Sequence, residues 1–205
     1  MSFDRKAYAL EELARLLSTL GPEARILTEN LPYSAVVGWP FVRSDGSAGM
    51  QTRTRVWDGA FAFALDEETH KMFVVRQQRE TPDGLIRTVE IPGGGIDPGN
   101  SPLEQAIAEL KEETGVVPTS DEVHQFGPVK GFNPIDGLIW TEQYPFLFPK
   151  ARKELEPESG HEVHLMSISE IIEMDNKNFF RDPYSPYVVR RIQDWLKKNR
   201  PELLT

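Results

Sequence analysis

The chain has 205 residues, 39% of them hydrophobic. That suits one domain, or a compact domain carrying an extension, and is enough to bury a core without metal or disulfide staples. Cysteine is absent, which excludes a disulfide framework, a thiol nucleophile and any Cys-held zinc or iron–sulfur site. Lys and Arg number 23 against 32 Asp and Glu, a formal charge of −9. This is a poor balance for coating nucleic acid, but carboxylates can hold divalent cations that bridge to small phosphorylated ligands.

In chain order, MSFDRKAYALEELARLL is amphipathic and carries acids, so it reads as neither a secretory signal nor a transit peptide. No apolar run approaches the roughly 20 residues of a membrane helix, and the cytoplasm is the expected location. Leu10, Leu13, Leu16, Leu17 and Leu20 recur at helical spacing and predict a helix over 7–20, closed by Gly21-Pro22. From 33 to 75 the texture changes to short strands, SAVVGWPFV, MQTRTRVW, AFAFAL and KMFVVRQ, with turns at Asp45-Gly46 and Asp66–His70. A further strand ends at Val89-Glu90-Ile91, followed by a glycine-rich turn and a helix over about 101–114. Strands are expected at 122–131, 138–148 and 162–166, a short helix at 169–174 and a last helix at 185–198, with Val188, Ile192, Trp195 and Leu196 inward. Residues 149–161 are polar and irregular and read as a loop. The order predicts an α/β (α+β) domain with a mixed sheet.

The helix near position 101 carries the chemistry. Ser101, Pro102 and Glu104 form a start signal with a capping box, and Gly115 stands at the C-cap position. At 100° per residue, Leu103, Ala106, Ile107, Leu110 and Thr114 share one face, and Glu109, Glu112 and Glu113 another. Like charges at i, i+3 and i+4 destabilise a helix by a few tenths of a kcal/mol each. A chain that clusters them has a solvated acidic face there, or a cation. The run Gly93-Gly94-Gly95 just before the helix shifts the balance to the cation, because glycines let backbone oxygens approach a ligand closely. Backbone carbonyl and carboxylate oxygens suit Mg²⁺ or Mn²⁺.

From Gly94 through Glu109-Leu-Lys-Glu112-Glu113-Thr-Gly115-Val116, the sequence resembles the Nudix box, with its spacing unbroken. Two positions depart from it: the box's first Glu is Asn100 and its Arg is Ala108. In the family that pair buttresses the loop and orients the acidic helix. Losing both partners together leaves no stranded charge. VVRQQR at 74–79, VEIPGGGID at 89–97 and the Gly137-Leu-Ile-Trp-Thr141-Glu142 stretch resemble the ADP-ribose and nucleotide-sugar pyrophosphatase branch. The resemblance implies a Nudix fold, a mixed β-sheet sandwiched between helices. The likeness covers roughly residues 33–175 and leaves the first 30 unexplained, so the expected organisation is an N-terminal helical extension over 1–30 ahead of a Nudix domain over 31–205, with the box at 94–116 and a C-terminal helix.

It further implies a divalent-metal-dependent hydrolase that cuts the diphosphate of ADP-ribose or a related nucleoside diphosphate sugar to a nucleoside monophosphate and a sugar phosphate. Expected metal ligands are Glu109, Glu112, Glu113 and the Gly93 carbonyl, holding Mg²⁺ or Mn²⁺, with Glu112 and Glu113 counted as catalytic. A further base comes from Glu156, Glu158 or Glu162, with Glu158 favoured and Glu162 second; each also reads as a solvated loop acid. Arg79 or Arg76 would contact phosphate or ribose; alternation along the strand lets only one of Arg76 and Gln77 face a cleft. Glu90, Glu142 and Trp39 complete the expected substrate contacts, although a lone Trp is more often core. The expected partners are a small nucleotide and a second copy of the chain, with neither nucleic acid nor membrane. Asn100 and Ala108 keep two alternatives open: a Nudix-fold nucleotide-binding or regulatory protein with impaired catalysis, or a Nudix hydrolase for another nucleoside diphosphate derivative.

Overall fold

The computed structural model describes residues 5–31, 34–81, 84–130, 139–157, 161–176 and 184–204. Helix α1 (Arg5–Leu20) precedes β1 (Arg25–Asn30), β2 (Ser34–Val42) and β3 (Ala48–Val56). Then come β4 (Gly59–Asp66), β5 (Met72–Thr81), β6 (Gly84–Glu90), β7 (Gly93–Gly95) and α2 (Pro102–Thr114). Short strands β8 (Val116–Pro118), β9 (His124–Gln125), β10 (Val129–Lys130) and β11 (Ile139–Trp140) lead into the long β12 (Glu142–Lys153). Strand β13 (Glu162–Met166), α3 (Ile168–Asn176), α4 (Tyr184–Asn199) and a 3₁₀ turn at Pro201–Leu203 complete the chain. Among the described residues, no helix is long and apolar enough to cross a membrane.

The centre of the molecule follows from β4, whose sequence GAFAFALD alternates small and large apolar residues. Ala60, Ala62 and Ala64 point to one face, where small side chains let α2 approach and bury Ala106 and Leu110. Phe61, Phe63 and Leu65 point to the other, against Ile168 and Ile171 of α3 and Val188, Ile192 and Leu196 of α4. Because both faces are covered, β4 reads as an unbroken apolar run. The resulting nine-stranded sheet is mixed: β12 and β4 run parallel, and β4–β5, β5–β6, β5–β13 and β4–β7 are antiparallel. A mixed sheet between helices was expected and is found.

A second sheet, in the order β1–β2–β3–β11, carries α1 on the face that presents Ala35 and Val37, burying Leu13. Two passages join the sheets side by side, β3 into β4 and β11 into β12. They are stitched by Thr141 Oγ1 to the Trp57 carbonyl at 3.2 Å and by the Glu142 N–H to Asp58 Oδ1 at 2.7 Å.

Several expectations change. Of the predicted strand over 122–131, the described residues 122–130 hold two two-residue strands. Strand β12 continues to Lys153, into the stretch read as a loop, because its end pairs antiparallel with β8. The glycine turn is itself a strand, β7, paired with β4. Ile107 is exposed at 36%, while the polar Gln105, on the opposite flank of the buried stripe of α2, is buried. Behind α4, Arg200 Nη1 holds both carboxylate oxygens of Glu122 at 2.9 and 3.0 Å, and Leu203 is buried.

Candidate active site

Helix α2 is fixed at both ends by its own sequence. Ser101 N donates to Glu104 Oε2 at 2.7 Å and Glu104 N to Ser101 Oγ at 3.3 Å, the reciprocal box that satisfies orphan donors of the first turn. Gly115 ends it in the left-handed region at φ 70°, its N–H on the Lys111 carbonyl. A Cβ on Gly115 would stand 2.0 Å from the Leu155 carbonyl oxygen, and the Gly115 carbonyl takes the N–H groups of Glu154 and Leu155, each at 2.9 Å. The helix is thus pinned to the end of β12.

So held, α2 lays two of its acids on β7. The Gly93 N–H donates to Glu113 Oε2 at 3.1 Å. A Cβ on Gly94 would lie 2.3 Å from Glu109 Oε1 and 2.9 Å from Oε2, so only a glycine leaves room for that carboxylate. Bonds from Ala62 N to the Pro92 carbonyl and from Ile96 N to the Asp58 carbonyl, both 2.9 Å, fix the β4–β7 pairing. In that register Phe61 and Gly93 face each other without exchanging bonds, so the amide and carbonyl of Gly93 point off the free edge of β7. Glu112 is on the same helix turn, exposed to solvent.

An additional group orders the first of these acids. Gln105, 3% exposed, accepts at Oε1 from Asp97 N and Asn100 Nδ2, both 3.0 Å, and donates from Nε2 to Glu109 Oε1 at 2.8 Å. Sequence reasoning missed it. The available signal was a polar residue one helical turn before Glu109, on the side that otherwise buries Ala106 and Leu110.

Strand parity sorts the remaining candidates. Glu90 lies on the α2 face of the sheet, half-buried, with Gln77 Nε2 donating to its Oε2 at 2.8 Å and Thr88 Oγ1 to its Oε1 at 2.5 Å. Glu142 is on the same face, in line with Tyr144, Phe146 and Phe148, and Tyr144 donates its hydroxyl to Glu142 Oε2 at 2.6 Å. That bond to a carboxylate, with burial second, pushes the Tyr144 pKa up to about 12, so the phenol stays a donor. Asp58 Oδ1 also accepts from Arg55 Nη1 at 2.8 Å.

Arg76, Glu162 and Trp39 are not brought to α2. Arg76 alternates with Gln77, is exposed, and lies on the α3/α4 side with Met72 and Val74. Glu162 pairs opposite Arg76 in the β13–β5 register and shares its face, with Oε2 3.6 Å from His164 Nε2. Trp39 is packed in the cluster beneath α1, where the apolar body of a Trp is at home. Glu156 is exposed, 3.9 Å from Lys153 Nζ. Glu158 lies outside the described residues, as does the side chain of Arg79, whose backbone is in β5 opposite Ile86.

The donor set is one of hard oxygens, Glu109, Glu112, Glu113 and the outward carbonyl of Gly93, which fits Mg²⁺ or Mn²⁺ in type. Among the described residues, no three His, Asp or Glu side chains converge on one point. Glu113 rests on the Gly93 amide and Glu109 on Gln105; both would turn a carboxylate oxygen toward a cation.

Residues 56–188 match the NUDIX domain model, and the chain belongs to this family. An RNA pyrophosphohydrolase from Brucella anthropi is 34% identical over 88 residues, 43% of this chain and 38% of its own length. This chain therefore spans well under half of that relative. A crystal structure described as an ADP compounds hydrolase superposes with a TM-score of 0.66, covering 87% of this chain and 97% of that one at 16% identity, a likeness of fold.

Proposed function

We propose that the protein is a divalent-metal-dependent pyrophosphohydrolase that cleaves the diphosphate of ADP-ribose or a related nucleoside diphosphate sugar, releasing a nucleoside monophosphate and a sugar phosphate. One observation carries this reading: Glu109 and Glu113 sit on Gly94 and Gly93, with Glu112 beside them on the same helix turn. Glu109, Glu112, Glu113 and the Gly93 carbonyl would hold Mg²⁺ or Mn²⁺. A cation bound there neutralises the diphosphate and acidifies an attacking water. Glu90 and Glu142, on the α2 face, border the substrate; Glu158 is our choice for the base and Arg79 for a phosphate contact. The structural neighbour, an ADP compounds hydrolase, supports the substrate class.

A second reading, pyrophosphohydrolysis of RNA, is favoured by the name of the sequence relative. The charge of −9 weighs against it, since a polyanion is gripped by Lys and Arg. We further propose a cytoplasmic homodimer, with residues 1–30 as an extension to a catalytic domain over 31–205.

The test is incubation with ADP-ribose and Mg²⁺, beside nucleotide sugars, dinucleotides, nucleoside triphosphates and 5′-triphosphorylated RNA, with products separated by chromatography. The expected outcome is AMP and ribose phosphate from ADP-ribose, abolished by EDTA. Glu113→Gln is expected to fold and to lose kcat at least about a hundredfold, since losing even an outer partner of a metal ligand costs roughly 10–100-fold. Calorimetric binding of a nucleotide with no turnover on any substrate would replace this reading with that of a binding protein.

A further inference from the structure

We propose that Gln105 is a positioning residue for Glu109, the last link of a relay of neutral amides that begins at Asp97 and Asn100. The inference rests on the reading of the acidic turn as a cation site.

The direction of the relay follows from one fixed donor. The backbone N–H of Asp97 can only donate, and it meets Gln105 at 3.0 Å; the atom it meets is therefore the amide oxygen. Asn100 Nδ2 donates to the same oxygen at 3.0 Å. With its oxygen committed to the loop, Gln105 must present Nε2 to Glu109, and it does so at 2.8 Å. The flip ambiguity of a side-chain amide is removed by its surroundings. At 3% exposure, Gln105 has no cheap exchange of these bonds for water.

The relay has a second wall. Gly94 lies against the Glu109 carboxylate so closely that a Cβ would overlap it. The loop over 97–100 thus fixes Gln105, and Gln105 and Gly94 together fix Glu109. Position 108, four residues before Glu112, is alanine and contributes no polar group to this arrangement. The orienting is done by an uncharged side chain one turn before the acid it holds, at the i, i+4 spacing that makes helix neighbours meet.

Mn²⁺ binding, followed by electron paramagnetic resonance on the full chain after EDTA stripping, tests this without reference to turnover. Gln105→Met keeps a side chain of similar length and removes both donor and acceptor. Its affinity is expected to fall roughly tenfold to a hundredfold. Asn100→Ala, at the exposed end of the relay, is expected to lose less. Added to Gln105→Met it should change nothing further, because the link it acts through is gone. Wild-type affinity in Gln105→Met, or losses that multiply in the double variant, would overturn the relay. Should Gln105→Met fail to fold, by circular dichroism in EDTA, Asn100→Ala decides alone, and unchanged affinity there overturns it. Absence of Mn²⁺ binding by the wild-type protein is a different failure, that of the cation site, and the relay would fall with it.

Discussion

Two glycines of the box have different tasks at the level of single atoms. Gly115 needs its backbone conformation and faces a carbonyl oxygen that cannot move away. Gly94 has no left-handed φ, and what a Cβ would meet is the far end of the Glu109 side chain. Gly94→Ala should therefore fold and displace the acid. We expect a melting temperature within a few degrees of wild type and a kcat lower by about a hundredfold, the scale of a 1 Å misplacement. Turnover near wild type in a well-folded Gly94→Ala protein would mean that Glu109 is not held where the chemistry needs it. The acids and glycines were legible in the sequence because they follow one another at helical and turn spacing. Gln105 was not, because its role depends on Asp97 and Asn100 folding back over the helix N-terminus. A departure at Asn100 and Ala108 reads as a loss until the neighbour that answers Asn100 is placed in space.

Among elements, the best-read are those whose ends are written locally. The box at Ser101 and Glu104 and the cap at Gly115 fix α2 to the residue. A similar box starts α3, with Ser167 N on Glu170 Oε2 at 2.7 Å and Glu170 N on Ser167 Oγ at 3.1 Å. Strands were read less well, since their limits depend on partners: β12 continues past the expected end because β8 returns alongside it. The C-terminal helix is fastened by another distant pairing, Glu122 with Arg200, and this one has a pH dependence. Hydrogen bonding with His124, then the bonds from Arg200, hold the Glu122 pKa below its usual 4.5. A carboxyl depressed in the folded state contributes stability above its unfolded pKa and loses it as pH falls through the folded value. Trp195, whose ring centroid is 4.1 Å from that of His124, reports on the fastening. Its emission is expected to change below about pH 4.5, and Glu122→Gln to show the changed emission already at neutral pH. A flat acid titration in wild type would show that the pair does not tie down α4.

At the scale of the molecule, two layers meet along two adjacent passages, and the second sheet owes its cover to α1. The leucine stripe of that helix announced that it docks on something; only the fold says that it docks on Ala35 and Val37 rather than on the nine-stranded sheet. The strand β1 lies inside the proposed 1–30 extension yet pairs with β2, so extension and domain share a sheet. If the layers are energetically separable, damage beneath α1 should stay local. Leu13 is 1% exposed, and Leu13→Asp places an unpaired carboxylate at that interface, a change expected to cost several kcal/mol and to release α1. Amide hydrogen exchange is then expected to accelerate in β2 and β3 while α2 and β4 keep their protection. Metal binding at the acidic turn should survive for the same reason, because Glu109 and Glu113 rest on β7, which pairs with β4. Loss of protection in α2 together with β2 would show that the passages at Thr141 and Asp58 transmit the damage, and that the extension and the nine-stranded sheet unfold as one unit.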